Sequence, residues 1–82
     1  MEKIELDDFL VDGILKEVDF RLKIASINWL QYRNKKVLIK GCSSAPAPTW
    51  AYLILTANLS QNASEILYGE PCSAIKIFKK IN

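Results

Sequence analysis

A chain of 82 residues, half of them apolar and 24% charged, has ordinary globular composition rather than the low-hydrophobicity, high-charge pattern of a disordered chain, and is read as one domain, residues 1–82. A formal charge of +2 is too small to argue for a nucleic-acid partner. So short a chain buries only a little over about 60% of its unfolded surface, and pairing of two copies is the obvious further source of stability.

The opening "MEKIELDDFL" is acidic where an export signal needs a basic start and an apolar run. The longest nearly apolar stretch, "WAYLILTANL", is about half of the ~20 residues a bilayer core requires. Both point to a cytoplasmic protein without a membrane span. The two cysteines are then expected as reduced thiols rather than a structural disulfide. Glu2, Glu5, Asp7, Asp8, Asp12, Glu17 and Asp19 make the start acidic, and Arg21, Lys23, Arg33, Lys35, Lys36 and Lys40 make the next segment basic. Such polarity fits a solvated surface or a head-to-tail pairing of subunits.

Residues 1–13 alternate weakly through Ile4, Glu5 and Leu6, and "DDFLVDG" reads as a turn punctuated by Asp12 and Gly13. Leu15, Val18, Leu22, Ala25 and Trp29 recur at three- and four-residue steps, which predicts an amphipathic helix over about 14–28, with Glu17 and Arg21 as an i,i+4 pair. "NWLQYRNKK" is a tight connection. "KVLIKGC" then reads as a short buried strand stopped by Gly41.

After the loop "CSSAPAP", a second helix is predicted over about 48–61, with Pro48 in its first turn and Thr49 as a possible cap. Ala51, Leu53, Ile54, Leu55, Ala57 and Leu59 leave it apolar nearly all round, so part of it is expected to meet a second subunit. "SEILYG" is a second strand, ended by Gly69. The tail "AIKIFKKI" suits an edge strand protected by lysines, with Ile75 and Ile77 on one face and Phe78 on the other.

Strand, helix and strand repeating at about thirty residues is a βαβ unit. The predicted class is therefore α/β: a small domain with a short, mainly parallel sheet packed by two helices. Both strand ends fall on one edge, where open α/β sheets bind their ligands. Cys42 after Gly41 and Cys72 after "GEP" are brought to that edge, and with Glu70, Thr49 and Tyr52 they form the candidate ligand-binding set. Glu70 is either an acid or base for chemistry or a solvated turn residue. Lys40 either lowers the pKa of Cys42 or points to the opposite face.

Three functional classes remain open. The leading one is a binding or accessory module, a homodimer in which Cys42 and Cys72 of two copies supply the four ligands that zinc or an iron–sulfur cluster takes, since a chain without histidine cannot close such a site alone. The second is a thiol-redox protein or enzyme, with Cys42 as nucleophile and Cys72 as resolving partner. The third is a purely structural interaction domain whose cysteines are core filler. No Ser-His or Cys-His pair exists to support other nucleophilic catalysis.

"DFR" at 19–21, "WLQY" at 29–32, "IKGC" at 39–42, "PTWAY" at 48–52 and "YGEPCS" at 68–73 resemble a bacterial family known as domain of unknown function 2480. The resemblance covers most of the chain. It implies that typical members are longer and built of two related halves, with "PTWAY" in the first and "IKGC" and "YGEPCS" in the second. This chain carries all three in one unit, so two copies would stand in for the two halves. The resemblance implies no established activity; it also implies a frequent genomic neighbourhood with iron–sulfur assembly genes, which adds modest weight to the shared cysteine site without establishing it for this chain.

Overall fold

Alternation around Ile4, the apolar run Val37, Leu38 and Ile39 and the pattern at 65–68 give three short parallel strands. They are β1 (Glu2–Glu5), β2 (Lys36–Lys40) and β3 (Glu65–Tyr68), seen in a computed structural model that describes residues 1–41 and 46–81. Adding β4 (Ile75–Lys79), antiparallel to β3, makes a four-stranded sheet in the order β1-β2-β3-β4. Ile4 aligns with Ile39 and Val37 with Ile66, which puts the apolar residues of neighbouring strands on one face. The predicted α/β class and the parallel pairing of β2 with β3 are what the structure shows. The weakly alternating start, read as leading into a turn, is itself the parallel edge strand β1.

Two helices cover that face: α1 (Glu17–Ser26) between β1 and β2, and α2 (Thr49–Leu59) between β2 and β3. Phe20 and Ile24 of α1, Ala51, Leu55 and Leu59 of α2, and the inward residues of the sheet share one core. Phe20 packs between Phe9, its ring tilted by 55° with centres 5.0 Å apart, and Trp50, which it meets edge-on at 5.4 Å.

The structure corrects the predicted face of α1. The side turned to the core is Phe20 and Ile24, whereas Val18 and Leu22 are 72% and 66% exposed and Ala25 faces water. A ten-residue helix with apolar residues on two sides is oriented by its partners, and the ring of Phe20 finds Phe9 and Trp50. The helix also starts at Glu17 rather than 14. Val11 and Ile14 exchange both backbone hydrogen bonds around Asp12 and Gly13, which have φ of 52° and 75°, so a two-residue turn with left-handed central residues occupies that segment.

At α2 the N-cap is Pro48, whose carbonyl accepts from the Ala51 N–H at 3.1 Å, and Thr49 is the first helical residue rather than the cap. The β4 prediction is met as an edge strand but not in its facing. A bulge opposite Ile66 and Leu67 sets Phe78 against Ile66, and Phe78 packs onto the core.

Among the described residues the other sheet face carries no helix. Leu38 lies on it, aligned with Lys3 on one side and Leu67 on the other, and is nonetheless fully buried. Lysines 36 and 40 flank it along the strand, and long alkyl stems with charged tips can cover apolar surface in this way. The tips are paired. Glu65, 14% exposed, receives Lys76 at 3.1 Å and Lys36 at 3.3 Å, and Lys40 reaches Glu5 at 3.5 Å. The hydrogen bond from Lys76, then that from Lys36 and both positive charges, outweigh burial and hold the Glu65 carboxyl below its usual range. Glu2 pairs with Lys35 at 3.9 Å, so part of the acidic start and the basic segment meet within one chain.

Candidate binding groove at the strand C-terminal edge

Because β2 and β3 run parallel, their ends share one edge, and the Gly69 N–H extends the ladder by donating to the Ile39 carbonyl at 3.1 Å. Each end needs its glycine for a different reason. At Gly41 a Cβ would stand 2.6 Å from the Tyr52 hydroxyl, so the missing side chain is what lets Tyr52 close on the strand end. Gly69 has φ of +119°, a conformation that L side chains rarely adopt, and it turns the chain out of β3. The following turn is closed by the Ser73 N–H donating to the Glu70 carbonyl at 2.9 Å, with Pro71 and Cys72 as its central residues.

Tyr52 meets Tyr68 of β3 edge to face, ring centres 5.1 Å apart at 83°. Beside this pair runs an open groove of about 650 Å³ between α2 and the sheet. Thr49, Tyr52, Leu53 and Thr56 form its α2 wall, the i, i+3, i+4, i+7 stripe of one helix side. Ile39, Tyr68 and Ile77 come from β2, β3 and β4. The Thr56 hydroxyl is committed to the Tyr52 carbonyl at 2.7 Å. Among the described residues the lining is apolar with hydroxyl groups and contains no charged side chain, so it offers an apolar or aromatic group close contact and a few hydrogen bonds.

The predicted site is assembled in part. Thr49 and Tyr52 come together in the groove wall, while Glu70 and Cys72 lie on the β3–β4 turn at the same edge and do not line the groove. Cys72 is exposed and unpaired, and Cys42 lies outside the described residues. Among the described residues no group of three or more Cys, His, Asp or Glu could hold a metal ion. Glu70 is exposed and within 4.0 Å of Lys40, whose alignment with Glu5 puts it on the face away from the helices. Sequence reasoning passed over Leu53, Thr56, Tyr68 and Ile77. The spacing of 49, 52, 53 and 56 carried a signal for the wall, but nothing local tied it to the tyrosine that ends β3.

Among the described residues no helix is long and apolar enough to cross a membrane. Neither the curated proteins nor the solved structures contain a match to this chain. The family described as "Protein of unknown function (DUF2480)" matches residues 24–80, which hold β2 to β4, α2 and every residue lining the groove. The chain belongs to that family, as a single short unit.

Proposed function

We propose that this chain is a small cytoplasmic binding or accessory module that works as a homodimer and takes an apolar or aromatic group of its ligand into the α2 groove. The observation that carries the reading is the concentration of exposed apolar surface. Leu53, Tyr68 and Ile77 line the groove and Ile75 aligns with Tyr68, so four of the ten exposed large apolar side chains of the described residues gather there. Pairing of copies is supported by the small core and by Ile14, Val18 and Leu22, exposed in α1 and the turn before it.

The test uses anilinonaphthalene sulfonate as an apolar probe. Saturable fluorescence enhancement by the native chain, lost in Leu53→Lys and Ile77→Lys, supports the groove. Enhancement that is absent, or unchanged in both variants, overturns it. A second reading, zinc or an iron–sulfur cluster held by Cys42 and Cys72 across the dimer, is supported by the exposed, unpaired Cys72 at the edge where β2 also ends. Native mass spectrometry without chelator decides it: a metal mass on the dimer that disappears in Cys72→Ala supports the shared site, and a metal-free dimer removes it.

A further inference from the structure

Of the two edges of the sheet, the one at β4 borders the groove, through Ile77. β4 pairs with β3 on one side, and among the described residues no strand lies on the other. The Lys80 N–H donates inward to the Ser64 carbonyl at 2.8 Å, so by strand alternation the N–H and C=O of its neighbour Lys79 point to the open edge. Unpaired backbone groups along a strand accept one kind of occupant, an extended chain.

The two faces of β4 differ in chemistry. On the helix side Ile75 and Ile77 are exposed, and Ile77 shares the groove with Leu53 and Tyr68. On the helix-free side Lys76 aligns with Leu67 and Lys79 with Glu65. The Glu65 carboxylate already takes Lys36 and Lys76, and among the described residues Lys79 has no carboxylate partner. A strand added at this edge therefore sends alternate side chains to an apolar groove and to a lysine without an acid.

We propose that β4 takes an extended segment of a partner protein by strand addition, with apolar side chains on the groove side alternating with carboxylates toward Lys76 and Lys79. The inference rests on the groove reading above and names its partner. A second copy is not that occupant. Continuing the sheet with its helices on the same side, its β4 would run antiparallel to this one, and matching the two faces sets Lys76 against Lys79 or either lysine against itself. Like charges directly opposite each other in a sheet are destabilising. The lysines thus keep a second β4 away and admit an acidic strand. Main-chain hydrogen bonds supply the attachment, and the groove selects the apolar side chain.

The test is fluorescence anisotropy of the full chain with a labelled peptide, Gly-Glu-Val-Glu-Phe-Glu-Gly, beside one with lysine in place of each glutamate. The expected result is saturable binding of the acidic peptide. Binding should weaken by about threefold or more for the lysine peptide and in Lys79→Glu, and by about tenfold in Ile77→Lys. Lys79 is exposed, so Lys79→Glu should keep its fold by circular dichroism and should now prefer the lysine peptide. Bound acidic peptide should also slow amide hydrogen exchange at Lys79 by about tenfold or more. No saturation, equal binding of the two peptides, or unchanged exchange at Lys79 overturns the strand addition. In that event the groove reading stands if Leu53→Lys still abolishes the anilinonaphthalene sulfonate signal, and falls as well if the native chain gives no such signal. A dimer that the acidic peptide dissociates would put a second copy on β4 and likewise overturn the proposal.

Discussion

At the scale of single residues, the two strand-ending glycines look alike in sequence and differ in physics. Gly41 is needed for space. A Cβ there meets the Tyr52 hydroxyl at 2.6 Å, while the ring carbon behind that hydroxyl is 3.8 Å away, an ordinary contact. Gly41→Ala should therefore cost about 1–3 kcal/mol, the range of overpacking, and Tyr52→Phe should recover part of it. A double-mutant cycle in urea checks this, and additive losses would contradict it. Gly69 is needed for its φ. An added Cβ meets nothing closer than 3.6 Å, so Gly69→Ala should cost about 1–3 kcal/mol of backbone strain with no rescue by Tyr52→Phe. That glycine stops each strand is legible in the sequence. Why each must be glycine is not, because the reasons are a contact with a helix eleven residues on and a dihedral angle. Cys72, exposed on its turn, should react with iodoacetamide in the native protein without denaturant. Protection until unfolding would contradict its placement.

At the scale of elements, helices were expected over about 14–28 and 48–61, and both formed, as Glu17–Ser26 and Thr49–Leu59. Facing was the harder question. Val18, Leu22 and Ala25 fit one apolar stripe and Phe20 and Ile24 another, and only the positions of Phe9 and Trp50 decide which turns inward. Phe20→Ala should accordingly destabilise the domain by about 3–5 kcal/mol, while Leu22→Ala in the monomeric form should stay within about 0.5 kcal/mol of native. Chemical denaturation of both variants checks the assignment, and equal losses would restore the stripe that the spacing suggested. In β4 alternation failed for a similar reason. A bulge lets Ile75 align with Tyr68 and Phe78 with Ile66, three residues apart yet on one face, and no local signal distinguishes that from regular alternation.

At the scale of the molecule, a single sheet with helices on one face must protect the other, and this chain does so with paired charges around Leu38 and Leu67. Glu65 sits between two lysines, and its carboxyl is held below the usual range chiefly by the hydrogen bond from Lys76. A carboxyl whose folded pKa is depressed contributes stability that is present above its unfolded value, 4.5, and is lost as pH falls through the lower folded value. Thermal denaturation should thus show a fall in stability below about pH 4.5 that is shallower in Glu65→Gln. The βαβ order, the parallel sheet and the shared strand edge were legible because thirty-residue spacing and chain topology fix them. The groove was not, since it arises where an α2 stripe, the end of β3 and the bulged β4 converge. The measurement that tests it most directly is a ¹⁵N-labelled fragment screen by NMR with small aromatic compounds. The account predicts shift changes clustered at Thr49, Tyr52, Leu53, Thr56, Tyr68 and Ile77, and changes confined to α1 or the open sheet face would contradict it.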